Sequence, residues 1–307
     1  MYIIWGKDIK SYSFGKDHPF SSSRYILFEE ALSSLEKTLS VRIVPPVLSS
    51  FSDIALFHTP NYIEFVKEKS QTGEGYLDYG DTPSFRGAYE AASYIVGSAL
   101  RGIKIALEGE TVFQVAGGLH HAKRDSAAGF CVFNDPGVVI SYLLEREGVE
   151  SVFYIDIDAH HGDGVMYGFY SDPRVIILDI HEDGRYLYPG TGFKYEIGEG
   201  KAKGTKFNVP LPPGASDDEF MDSLKVAEDI IKKFSPFILL VQAGLDGIKT
   251  DPITHLSYTI DGYSEAVNFL RYLARTYFDN KIFLFGGGGY SAKNLRDGWI
   301  KLIKTFI

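Results

Sequence analysis

The stretch SVFYIDIDAHHGDG, Ser151 to Gly164, sets the reading of the whole chain. It begins as an apolar run, Val152 to Ile155, then packs three carboxylates and two histidines into the eight positions from Asp156 to Asp163. An apolar run without polar alternation predicts a strand buried on both faces, the kind that parallel sheets use. Polarity concentrated where such a strand ends predicts a site rather than more core. Working outward, the same kind of run recurs at 111–116, 174–180, 206–211, 237–243 and 281–285. Helical patterns lie between and around them, at roughly 24–39, 60–70, 84–101, 134–147, 216–234, 261–278 and 291–304. The clearest is 216–234. There Ser216 and Glu219 stand at capping-box spacing, and Phe220, Leu224, Ala227, Ile231 and Phe234 repeat at helical intervals. β–α alternation with no repeat or linker predicts an α/β fold: a single doubly wound domain over 1–307, with a mostly parallel central sheet flanked by helices.

In such folds ligands sit beyond the carboxyl ends of the strands. Five strand candidates deliver polar clusters there: His120 and His121; Asp156, Asp158, His160, His161 and Asp163; Asp179 and His181; Asp246; and the glycines and Tyr290 of FGGGGYS. Asp158 and His160, two apart, would point the same way from an extended segment. With Asp246 they would make an Asp-His-Asp set that leaves positions open for water and substrate, as catalytic zinc sites do. A set without thiolate also suits Fe(II), Co(II) or Mn(II). A single Asp after a strand is more often a cap or turn former, but a cap needs no pair of histidines beside it. Gly117 and Gly118 would let the adjacent His120 and His121 reach one pocket, and imidazoles transfer protons near neutral pH. Asp156 and Asp163 would then orient them. Tyr290 would donate a hydrogen bond to a developing oxyanion.

The net charge is −9, which argues against a broad nucleic-acid or anionic-membrane surface and would suit a cationic substrate. The one cysteine, Cys131, allows no internal disulfide and fits a reducing compartment. The N-terminus reads as no signal peptide, and no apolar stretch is long enough to span a bilayer. The expectation is a cytoplasmic protein.

GGLHHAKRDSAAGFCVFND, YIDIDAHHGDGV, DIHEDGRYLYPGTG, QAGLDG and FGGGGYS, preceded by HPFSSSR (18–24), HTPNYIEFV (58–66) and GDTP (80–83), resemble in order and spacing the histone deacetylase superfamily. That group includes acetoin-utilization proteins and acetylpolyamine amidohydrolases. The resemblance spans nearly the whole chain. It implies a zinc-dependent amidohydrolase that removes an acetyl or other acyl group from a small acylated amine or an acyl-lysine peptide. Asp158, His160 and Asp246 would bind zinc, with Fe(II) or Co(II) as alternatives. His120 with Asp156, His121 with Asp163, and Tyr290 would be catalytic. Asp81 would hold the substrate backbone at the rim; Phe130, Gly129 and Tyr188 would wall the tunnel; Arg24 would lie at its floor. It also implies a structural potassium ion at Asp156, Asp158, His160, Asp179 and Ile180. Tyr188 departs from the phenylalanine common at its position. Two rivals stand beside this reading. One is an arginase-like binuclear manganese hydrolase drawing on Asp246 and Asp251; the other is a catalytically silent acyl-lysine binder.

Overall fold

The computed structural model describes residues 1–36 and 41–307. Six of its eight strands are the apolar runs of the sequence: β3 (Thr111–Gln114), β4 (Val152–Asp156), β5 (Val175–Glu182), β6 (Lys206–Leu211), β7 (Ile238–Gln242) and β8 (Ile282–Phe285). Two more, β1 (Tyr2–Ile4) and β2 (Arg42–Val44), are three residues each and escape a periodicity reading. One sheet results, in the order β2-β1-β3-β8-β7-β4-β5-β6, with every pairing parallel. β5 runs on to Glu182, so Asp179 and His181 lie within a strand rather than beyond its end.

Helices cover both faces. α1 (Ser23–Glu36), α7 (Asp217–Phe234), α8 (Ile260–Tyr277) and α9 (Ala292–Thr305) form one packed group; α3 (Pro60–Thr72), α4 (Ala88–Leu107) and α5 (Asp135–Glu145) form the other. Covering on both sides is why β3, β4, β5, β7 and β8 are buried at every residue. The helix expected over 24–39 begins at Ser23 and its residues 37–39 lie outside the described ones. The helix expected over 84–101 starts later, at Ala88, and runs on to Leu107. Short helices α2 (Phe51–Ile54) and α6 (Asp163–Gly168) were not legible in the pattern. In α7 the capping box forms: the Ser216 N–H donates to Glu219 Oε2 at 2.7 Å, and Phe220, Leu224, Ala227 and Ile231 are buried.

The edge strand β6 is fastened by a buried lysine. Lys206 is 0% exposed and its ammonium donates to the carbonyls of Asp172 and Val175 and to Thr205 Oγ1 at 3.1, 2.5 and 2.9 Å. Burial pulls its pKa down to about 8, so it still carries its charge at pH 7. Among the described residues no helix is long and apolar enough to cross a membrane.

Strand order places the site. The chain lays down β1, places β2 outside it at one edge and β3 inside it, then builds outward from β4 to the other edge, and β7 and β8 fill the gap between β3 and β4. The register aligns Gln114, Phe285, Gln242, Asp156 and Asp179 in one row across the carboxyl end of the sheet. Loops leaving β3, β4, β7 and β8 therefore emerge side by side.

Candidate active site

After β3 the chain turns at Gly117–Gly118. Gly118 has φ +93°, and a Cβ there would meet Gln242 Oε1 at 2.0 Å, so only glycine fits. The buried Asp135 carboxylate, at the start of α5, accepts the Gly118 and Leu119 N–H groups at 3.0 and 2.9 Å. This fixes His120 and His121 in a loop, where neighbours need not face opposite ways. His120 Nδ1 lies 2.8 Å from Asp156 Oδ2, and His121 Nδ1 lies 2.7 Å from Asp163 Oδ1. The two Nε2 atoms converge to 3.2 Å.

The two pairs are not equivalent. Burial, then the charges of Asp179 and Asp158, push the Asp156 carboxyl well above its ordinary range; Tyr154 also donates to Asp156 Oδ2 at 2.9 Å. Against burial, the hydrogen bond with His121 holds Asp163 below its ordinary value. Burial and the charge of His120 lower His121 to about 4. At pH 7 His121 is thus a neutral imidazole whose Nδ1–H meets an ionised carboxylate, leaving Nε2 as a base.

Asp158 and His160 sit in a bend beyond β4, not in an extended segment as their spacing had suggested. The bend brings them together all the same. The His160 N–H donates to Asp158 Oδ1 at 3.0 Å, and the Ala159 N–H donates to Asp246 Oδ1 at 2.8 Å, clamping the loop after β7 onto it. His160 Nδ1 lies 2.9 Å from Asp246 Oδ2 and 3.2 Å from Asp158 Oδ1. All three side chains are buried, and one ligand atom from each lies within 4.8 Å of the others. Burial alone would lower His160, yet Asp158 and Asp246 lift it to about 10. Such an excess of buried negative charge fits a divalent cation. This is the one such group among the described residues. Asp251, the acid a binuclear site would need, instead accepts backbone N–H groups from Tyr290 and Ile253.

The β8 loop closes over these ligands. The Gly288 N–H donates to Asp158 Oδ2 at 2.7 Å, and a Cβ on Gly288 would meet Asp246 Oδ2 at 2.3 Å. Tyr290 follows, its ring 6.1 Å from that of Phe130. Burial, then the charges of Asp246 and Asp158, push its phenol pKa up, so it stays protonated and able to donate. Tyr290, Phe130, Cys131, Leu119 and Phe20 line, with the histidines, an inner cavity of about 20 Å3, room for about one water or a methyl group.

The remaining expected residues surround it. Tyr188 presents its edge to His121 at 5.1 Å but is 43% exposed, and lines the outer hollow with Asp81 rather than the inner cavity. Asp81 Oδ1 accepts the Gly129 N–H at 3.1 Å, which ties the rim to the turn carrying Phe130. Burial and then Asp78 raise Asp81 to about 6. Arg24, 3% exposed, donates to the Gly287 carbonyl at 2.7 Å beneath the glycine loop. Asp179 Oδ2 accepts the Gly162 N–H at 2.9 Å, and a Cβ on Gly162 would meet Asp156 Oδ2 at 2.6 Å and Asp179 Oδ2 at 3.3 Å. His120 Nδ1 lies in the same corner, 3.1 Å from that Cβ position, and His181 Nδ1 lies 2.6 Å from Asp179 Oδ1. Sequence reading missed Asp135 and Tyr154 as site residues, and considered Asp251 only as a second-metal acid. Asp135 was legible only as a residue in the first turn of a helix.

The match to known proteins is extensive. Residues 18–306 fit the family model described as histone deacetylase domain. The chain belongs to the histone deacetylase family. Within it, this deacetylase-family hydrolase is 40% identical over 298 residues to the acetoin utilization protein AcuC of Bacillus subtilis (strain 168), covering 94% of this chain and 77% of that one. The AcuC protein of Staphylococcus xylosus is 34% identical over the same shares. A solved histone deacetylase homologue in complex with SAHA superposes with a TM-score of 0.88 at 30% identity, over all of this chain and 84% of the other. The HDA15 HD domain, at 23% identity, gives a TM-score of 0.91 over 100% and 90% and shows the shared fold.

Proposed function

We propose that the chain is a zinc-dependent deacetylase, a single catalytic unit over 1–307, acting on an N-acetylated primary amine of the acetyl-lysine or acetylpolyamine kind. The observation that carries this reading is the convergence of the His120 and His121 Nε2 atoms beside the Asp158–His160–Asp246 group, with Tyr290 lining the same small cavity.

A divalent metal held by Asp158, His160 and Asp246 would supply a Lewis acid and an activated water. His121 Nε2, backed by ionised Asp163, takes a proton from the attacking water and passes it to the departing amine nitrogen. His120, backed by Asp156, tunes the field across the 3.2 Å gap. Tyr290 donates to the amide oxygen as negative charge develops on it. Phe130 and Tyr188 flank the alkyl arm, with Gly129 giving it room, and Asp81 takes the substrate's backbone N–H at the rim. Arg24 braces the floor through Gly287. A potassium ion at Asp156, Asp158, His160, Asp179 and Ile180, partly through backbone carbonyls, would offset the charge of the acids behind the site.

The test is hydrolysis of a fluorogenic acetyl-lysine peptide and of acetylated polyamines, before and after chelation. Loss of activity on chelation and its return with one zinc per chain supports the reading; full activity in metal-stripped protein, or two metals per chain, sinks it. SAHA, which a solved relative holds, should inhibit.

A further inference from the structure

Tyr290 follows four glycines, two of them at positive φ: Gly287 at +65° and Gly289 at +131°. Glycine backbones are the most permissive, so little within that loop itself fixes where the phenol stands. Gly286, Gly287 and Gly288 are tied through their N–H groups to the Gln114 and Gly117 carbonyls and to Asp158 Oδ2, and the tie at Tyr290 itself comes from another loop. Asp251 is buried, 8% exposed, and its Oδ2 accepts the Tyr290 N–H at 2.8 Å; the Ser291 amide bears on the same carboxylate. Its Oδ1 accepts the Ile253 N–H at 3.1 Å.

Two observations separate this from ordinary helix capping. First, α9 has its own cap: Ser291 Oγ accepts the Asn294 N–H, so the helix does not need Asp251. Second, Asp251 follows Thr250, which sits at φ +80°. A β-branched residue at positive φ is strained, and such strain persists only where the surroundings enforce it. Here they do. Asn294 Nδ2 donates to the carbonyls of both Ile248 and Lys249 at 3.1 Å, and the Lys249 N–H donates to the Tyr258 carbonyl at 2.8 Å. The turn is thus gripped from α9 while its carboxylate grips the residue just before α9. It also begins only a few residues after Asp246, whose carbonyl accepts from Thr254 Oγ1.

We propose that Asp251 is the positioning residue for Tyr290: its carboxylate anchors the Tyr290 backbone so that the phenol is held over the metal ligands, and it affects turnover only through Tyr290. This rests on the reading of Tyr290 as the oxyanion donor. A misplaced donor loses much of its worth, because transition-state stabilisation depends on fixed geometry.

The test is a double-mutant cycle on the zinc-loaded 307-residue chain with a fluorogenic acetyl-lysine peptide, together with metal analysis and hydrogen exchange at the Tyr290 amide. Tyr290→Phe should lower kcat about a hundredfold. Asp251→Ala should lower kcat about thirtyfold with KM within about twofold, keep its zinc, and speed exchange at Tyr290. In the Tyr290→Phe background the same change should cost less than about twofold. Asp251→Asn, whose amide oxygen still accepts an N–H, should lose only about fivefold, again only when the phenol is present; it decides the question if the alanine variant does not fold. A loss of equal size in both backgrounds, or a variant that sheds its zinc, overturns the role. Full activity in Tyr290→Phe would instead overturn the reading of the site itself.

Discussion

His121 and His58 show how differently a single buried imidazole serves this protein. His121 faces the inner cavity with an ionised Asp163 behind it. If His121 is the general base of the proposed zinc site, His121→Ala should lower kcat at least about a hundredfold with zinc content unchanged, read by steady-state kinetics and metal analysis. His58 does not line that cavity. It is 2% exposed, its Nε2 accepts the Asn134 N–H at 2.8 Å, and burial drops its pKa to about 3. Asn134 in turn donates to the carbonyls of His120 and Ala122, so His58 supports the His120–His121 loop at one remove. The sign of its pH effect follows. Above about 6.5 the ring is neutral folded or unfolded, and its contribution is constant. Between there and about 3 the unfolded chain binds a proton that the folded one refuses, so stability falls as pH falls. Urea melts at pH 7 and pH 5 should show about 2 kcal/mol of this loss from His58 alone. His58→Gln, which keeps an acceptor for Asn134, should show a drop smaller by that amount; an unchanged drop would acquit His58.

At the scale of elements, β6 is the informative case. It is an edge strand, exposed to fraying and to pairing with other chains, and its first residue is the buried Lys206. That ammonium links β6 to the 172–175 turn that opens β5. Lys206→Met keeps the length of the side chain but leaves two buried carbonyls and a hydroxyl without their donor, and should cost on the order of 3 kcal/mol in a denaturant titration. Hydrogen exchange should localise the loss to β6 and the start of β5; a uniform loss of protection across the sheet would contradict this local role. Strand types were legible at this scale because residues buried on both faces leave long apolar runs. Element limits were less so. α4 begins after Gly87, at φ +84°, and runs beyond Leu100 because Ile103 and Ala106 continue its buried face. β1 and β2 gain their strand character from neighbours in the sheet, since three residues hold no period.

For the whole molecule, the site is built from the ends of β3, β4, β7 and β8, so its integrity depends on the entire central sheet. If 1–307 is one unit, thermal unfolding should be a single transition, and saturating zinc should raise its midpoint because only the folded chain brings Asp158, His160 and Asp246 together. With zinc at about a hundredfold over its Kd, the gain is about 2.7 kcal/mol. Two resolved transitions, or a midpoint indifferent to zinc, would count against a single metal-organised unit.

The sequence by itself determined the parallel α/β class and the family, and nominated the candidate site residues, because apolar runs and the polar clusters that end them are local signals written within a few positions. It did not determine which of those residues meet. His160 and Asp246 are 86 positions apart, Gly118 and Asp135 are 17, and Tyr290 and Asp251 are 39. Nor did it reveal that Asp158 and His160 pair through a bend, or that Asp179 lies inside a strand. Those partnerships came only from the tertiary structure. A hydrogen bond between distant residues is set by strand order and register, and an aspartate that holds a metal looks the same along the chain as one that holds a backbone amide.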